Sequence, residues 1–128
     1  MKYLIRSFLI LWVLSPVGFT VKAQSSADQI LGVWKSEDGV RTIKIYKDNG
    51  AYFGKILANS HAPKDKMPVG TVIMKNFVFE DGRWKGKLYI PSQDMSFKTV
   101  ASLETPDKLK SALKIGFFTK SRMWNRVK

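Results

Sequence analysis

From Arg83 onward the chain alternates apolar and polar residues with a period of two. Trp84, Gly86, Leu88 and Ile90 fall on one face, and Lys85, Lys87 and Tyr89 on the other. Met95, Phe97, Thr99, Ala101 and Leu103 oppose Ser96, Lys98, Val100, Ser102 and Glu104; further on, Leu109, Leu113 and Ile115 oppose Lys108, Lys110 and Lys114. Successive side chains of an extended strand point to opposite sides, so this pattern predicts a sheet with one buried and one wet face. Thr71 to Phe79 is different. It is apolar on both faces except at Lys75 and Asn76, which predicts a strand covered on both sides or in contact with a partner.

Turn signals divide the rest. Asp38-Gly39, Asn49-Gly50 and Asp81-Gly82 each lie between β-rich runs and predict tight hairpins. Pro91-Ser92-Gln93-Asp94 and Thr105-Pro106-Asp107-Lys108 predict further turns, and Gly116 to Ser121 a longer one. Strands then begin near Gly32, Val40, Ala51, Thr71, Arg83, Met95, Leu109 and Arg122. The polar, Pro-containing stretch from Ala58 to Gly70 is the one long connection. Ser26-Ala27-Asp28-Gln29 has the capping-box pattern and predicts one helical turn ahead of Gly32. Eight short strands with one wet face hide their edges most simply by closing on themselves. The predicted fold is therefore all-β: an antiparallel eight-stranded up-and-down barrel with a short N-terminal helical turn.

The first residues follow another pattern. Lys2 and Arg6 precede an unbroken apolar run from Phe8 to Leu14, and Val21-Lys22-Ala23 places small residues where a signal peptidase reads. This predicts a signal peptide over residues 1–23, cleaved after Ala23, and a single barrel domain over residues 24–128. The expected location is the periplasm or outside the cell. The 128 residues carry 22 basic and 10 acidic side chains, a formal charge of +12. Without the leader, 19 basic residues stand against the same 10 acids.

Composition excludes several chemistries. There is no Cys and a single His, so a disulfide scaffold, a thiolate metal site, a Cys nucleophile and a multi-histidine metal centre are all ruled out within one chain. No phosphate-binding glycine loop is present. His61 lies in the long loop with no motif to place a Ser beside it, and an exposed loop histidine is the simpler reading. A hydrolase built on Asp65 and His61 is the residual catalytic alternative. Asp38, Asp48, Asp81, Asp94 and Asp107 lie in turns, where turn chemistry accounts for them. The expectation is no catalytic residue, no metal and no cofactor.

Two resemblances sharpen the fold. Gly32-x-Trp34 after a helical turn, with Arg126 near the end of the last strand, resembles the calycin signature of lipocalins and fatty-acid-binding proteins. That resemblance implies that Trp34 closes the base of the barrel with Arg126 laid across its ring, a cation over an indole face. The second resemblance spans most of the mature chain. Its pieces are Ile30-Leu31-Gly32-Val33-Trp34, Ile45-Tyr46, Tyr52-x-Gly54-Lys55-Ile56, Trp84-x-Gly86, Tyr89-x-Pro91 and Trp124-x-Arg126-Val127. Together they are similar to the domain-of-unknown-function 2147 family of small exported bacterial proteins. The family implies an exported calycin-like barrel and supplies no activity.

Two surfaces remain as sites. Inside the barrel, Trp84, Leu88, Met95, Phe97, Leu103 and Leu113 are expected to point inward, with Tyr52 and Ile56. They either line a cavity for a small apolar or amphipathic ligand or fill the interior, and the sequence leaves both open. The candidate pocket wall is Tyr52, Trp84, Leu88 and Phe97, with the long loop as a rim. Outside, Lys85, Lys87, Lys98, Lys110 and Lys114, with Lys108, lie on the wet side of neighbouring strands. They form a candidate surface for an anionic cell-envelope component. No nucleic-acid module signature appears, so nucleic acid is not an expected partner. The oligomeric state is left open.

Overall fold

The hairpins form where Asn-Gly and Asp-Gly were written. Asn49 and Gly50 have φ of 49° and 81°, and Asp81 and Gly82 have 53° and 76°. Two successive positive φ values suit the right-handed twist of the flanking strands, and Asn, Asp and Gly adopt them at least cost. The computed structural model describes residues 26–128. The predicted leader and its cleavage point after Ala23 lie outside the described residues. The strands are β1 Gly32–Ser36, β2 Arg41–Asp48, β3 Ala51–Asn59, β4 Val72–Glu80, β5 Arg83–Ile90, β6 Met95–Thr105, β7 Lys108–Ile115 and β8 Phe118–Arg126. Each pairs antiparallel with the next and β8 pairs with β1, closing the barrel. A 3-10 turn, Asp28–Ile30, precedes β1.

In such a barrel successive turns alternate between the two ends. The 3-10 turn, the β2–β3, β4–β5 and β6–β7 turns and the end of β8 share one end. That end is sealed. Trp34 Nε1 donates to Ile30 O at 3.0 Å, Trp84 Nε1 donates to Ala27 O at 3.0 Å, and the Tyr52 hydroxyl donates to Asp28 at 2.5 Å. The Arg126 guanidinium lies 4.3 Å from the centre of the Trp34 ring. It donates to Leu31 O at 2.8 Å, to Gln29 O at 2.7 Å and to Pro106 O at 3.1 Å. One planar group thus satisfies carbonyls from the plug and from the β6–β7 turn, which a point-charge ammonium could not span.

Two expectations change. The stretch from Gly116 to Ser121 is not a long turn. Gly116, at φ 59°, and Phe117 form a two-residue turn, and β8 begins at Phe118, four residues before Arg122. The β-rich Phe118-Thr119-Lys120 segment continues the ladder, and this local propensity outweighs the turn signal. The doubly apolar β4 needs no second layer or partner. Two register shifts, near Ile73 and at Asn76 (φ 55°), change the phase of the strand. A bulge adds one residue and flips the alternation. Ile73, Met74 and Phe77 are all buried, whereas Val78 is exposed.

The sealed end makes a pH prediction. The Tyr52 hydrogen bond and then the Lys47 ammonium hold Asp28 below its ordinary value of 3.8. Burial, and then Asp28, push the Tyr52 hydroxyl well above 10.0. A depressed carboxylate stabilises the fold above the unfolded value and loses that contribution as pH falls through the lower folded value. A raised phenol stabilises below its unfolded value, and its contribution is lost as pH rises beyond it. Thermal melts followed by circular dichroism should therefore show stability falling below about pH 4 and above about pH 10. Tyr52→Phe should flatten the alkaline limb. It should not abolish it, because Asp94 also raises Tyr89. An unchanged alkaline limb in Tyr52→Phe would exclude this phenol as the titrating group.

Candidate functional site

The opposite end is open. It carries the β1–β2 turn, the long β3–β4 loop, the β5–β6 turn and the β7–β8 turn. A cavity of about 250 Å³ lies beneath it. Its apolar wall is built by inward positions of four strands: Ile43, Ile73, Met74, Leu109, Leu113 and Trp124. Trp124 Nε1 donates to Ser111 Oγ at 3.1 Å, so the indole is held in place and its one donor is satisfied.

The rim is charged. Counting back from Trp124 by twos along β8 places Arg122 and Lys120 on the cavity side, and both line it. Arg41, at the start of β2, donates from Nη2 to Asp65 Oδ2 at 2.8 Å. Burial alone would raise the Asp65 carboxyl; donation from Asn59 and Arg41, with the Met67 N–H, outweighs it and holds the group low. Asp65 therefore has its acceptors committed and serves as the anchor of the long loop. Arg41 Nε is buried without a partner among the described residues. Arg122 Nη1 reaches Asp38 at 3.3 Å, while Ser36 and the Val40 N–H hold Asp38 low. Lys120 has no ion pair among the described residues. The cavity thus joins an apolar floor to a cationic mouth.

The residues named from sequence are distributed as follows. Leu88 lines the cavity. Tyr52 and Trp84 are buried at the sealed end, where they hold the plug, and do not face the cavity. Phe97 shares the inward face with Thr99, pairs with Leu88 and is half-buried, outside the cavity wall. Met95, expected inward, is 53 % exposed, because β6 runs beyond the rim there. His61 is exposed and does not line the cavity. On the outer surface Lys75 pairs across strands with Lys87, and Lys87 with Lys98. Lys110 pairs with Ser102, Lys114 with Thr119, and Lys85 reaches Glu80 at 3.5 Å. Parity counted from Trp124 is the signal in the sequence that places Lys120 and Arg122 at the cavity. No group of three or more His, Cys, Asp or Glu able to hold a metal occurs among the described residues.

Comparison with known proteins matches this architecture. A solved structure, protein HP1028 from the human pathogen Helicobacter pylori, described as belonging to the lipocalin family, superposes with a TM-score of 0.60. It is 13 % identical over 77 % of this chain and 83 % of its own, which establishes the shared fold. No curated protein matches the chain. The family profile described as "Uncharacterized protein conserved in bacteria (DUF2147)" matches residues 32–126, the whole barrel from β1 to the end of β8. The chain therefore belongs to the DUF2147 family, here carried on a lipocalin-like eight-stranded barrel.

Proposed function

We propose that this protein is an exported, non-enzymatic binding protein. It holds one small amphipathic molecule in the cavity at the open end, apolar part down and anionic end at the rim. The observation that carries this is the pairing of an apolar floor with Lys120, Arg122 and the unpartnered Nε of Arg41 at the mouth. Buried donors without partners are costly, and an anionic oxygen satisfies them. A volume of about 250 Å³ lies just below the range typical of drug-sized ligands, which favours a molecule of about ten non-hydrogen atoms. The lipocalin-like fold, commonly a binding fold, supports the same reading, and the leader-like residues 1–23 support export.

Isothermal titration with octanoate and 1-octanol tests it. Octanoate should bind about tenfold more tightly than octanol, a charge-assisted bond at the rim making the difference. Leu113→Trp, which fills the cavity, should abolish both. Lys85→Glu, Lys87→Glu and Lys98→Glu together should leave both unchanged. Equal affinities for the two ligands, or no binding of either, would sink this reading.

A second reading has its own observation. Lys75, Lys87 and Lys98 stand side by side across three strands, and like charges directly opposite repel. Such a row is relieved by a bound polyanion of the cell envelope. That reading requires binding of an acidic polysaccharide that falls steeply with salt. It also requires that this binding be lost in the same triple variant, with octanoate binding intact.

A further inference from the structure

The β7–β8 hairpin projects beyond the rim. Cross-strand pairing of β6 with β7 ends at Thr99 and Leu113, and pairing of β1 with β8 ends at Ser36 and Trp124. From Lys114 to Ser121 the strands of this hairpin pair only with each other. Its tip is Ile115-Gly116-Phe117-Phe118. Phe117 is fully exposed, Phe118 is 77 % exposed and Ile115 36 %. The turn itself needs Gly116 at positive φ and places no demand for an aromatic beside it. Two adjacent phenyl rings in water at the end of a cantilevered hairpin are therefore not explained by folding. A patch of this kind marks a contact surface.

Charge identifies the partner. Residues 111–123, the part of the hairpin nearest the tip, contain three basic side chains, Lys114, Lys120 and Arg122, and no acid. Lys114 and Lys120 flank the tip directly, in register with Thr119 and Leu113. Apolar rings at an apex with ammonium groups one step behind are the arrangement of a segment that enters the boundary between lipid headgroups and acyl chains. A tip of two rings is too small for a stable protein interface, which buries about 800 Å² on each partner. It is sufficient for a lipid surface, where a few apolar anchors and a basic collar act together.

We propose that the β7–β8 hairpin docks this protein on an anionic phospholipid bilayer, with Phe117 and Phe118 inserted and Lys114 and Lys120 against the headgroups. Docking through this tip turns the open end of the barrel, and so the mouth of the cavity, toward the membrane. The inference shares Lys120 with the cavity reading but does not rest on it: Phe117, Phe118 and Lys114 lie outside the cavity lining, so the tip docks whether or not the cavity is occupied.

Flotation with phosphatidylcholine vesicles, with and without phosphatidylglycerol, tests this. All variants carry the same N-terminus, so any contribution of residues 1–25 cancels between them. The protein should bind the phosphatidylglycerol vesicles, more weakly as salt rises, and bind pure phosphatidylcholine about tenfold more weakly. Phe117→Ser with Phe118→Ser should lose about tenfold or more while the thermal melt is unchanged, because both rings are exposed. Lys114→Glu should lose several-fold. Lys85→Glu with Lys87→Glu, on the outer face away from the tip, should stay within about twofold. The proposal is overturned if no vesicle is bound, if both vesicle types bind equally, or if the Phe117/Phe118 variant binds as well as the parent. Loss confined to the Lys85/Lys87 variant overturns it too, and assigns the contact to the sheet face.

Discussion

Trp34→Ala is expected to lower stability by about 4–5 kcal/mol, the upper range for removing a buried aromatic side chain. Trp34 is wholly buried and its indole does three things at once. It fills the base of the barrel, donates from Nε1 to Ile30 O at 3.0 Å, and supports the Arg126 guanidinium 4.3 Å from its ring centre. Truncation leaves a cavity, an unsatisfied carbonyl and an arginine without its platform. For a domain of this size the melting temperature should fall by roughly 20 °C. Arg126→Ala should cost about 2–3 kcal/mol by stripping the donors from Leu31, Gln29 and Pro106. Because the two side chains touch, the double variant should cost less than the sum of the two, by about 0.5–2 kcal/mol. Chemical denaturation of all three variants measures this. Strict additivity would show that the ring and the guanidinium stabilise the base independently.

Gly86→Ala should be nearly as severe, at about 3 kcal/mol, the upper end of ordinary overpacking costs. A Cβ at this position would lie 2.5 Å from Phe77 Cδ1, 2.6 Å from Cγ and 2.9 Å from the backbone Cα. Gly86 sits across from the Asn76 bulge, between the pairs Lys75 with Lys87 and Val78 with Lys85, and the buried Phe77 ring covers it. A bare strand glycine marks a close approach of this kind. The ring is wholly buried and the nearest backbone atom cannot swing away, so the strands themselves must part. Gly54→Ala is the informative contrast. There the three nearest atoms all belong to the Met74 side chain, Sδ at 2.8 Å, Cβ at 3.0 Å and Cγ at 3.1 Å, with no backbone atom among them, and the cost should be about 1 kcal/mol, the low end of overpacking. Equal midpoints for the two variants in urea would refute the argument from what each Cβ meets.

Much of the fold was legible because its causes are local. Asn-Gly and Asp-Gly pairs set hairpins, and period-two alternation through β5, β6 and β7 set their inward faces. The candidate site was far less legible. Tyr52 and Trp84 carry the right parity, but parity says nothing of depth along the barrel axis. Both lie at the sealed end because Ala27 and Asp28 bring the plug to their polar atoms. Phe97 has the right parity too, yet lies outside the wall, next to the exposed start of β6. The basic side chains of β8 look like a solvated C-terminus until Trp124 fixes the phase, which then turns Arg122 and Lys120 toward the cavity.

The sequence by itself determined the eight strands, most of their turns, the closure into a barrel and the pairing of Trp34 with Arg126. The strands, turns and closure follow from short-range propensity, alternation and the need to hide strand edges, whereas the pairing of Trp34 with Arg126 was implied by the resemblance to the calycin signature. Tertiary structure decided which end is open, where β4 shifts phase, that a cavity remains under a cationic rim, and that Phe117 and Phe118 stand clear of the barrel. Those outcomes depend on register between strands that are distant along the chain, and a one-residue shift at Ile73 or Asn76 reverses every face beyond it.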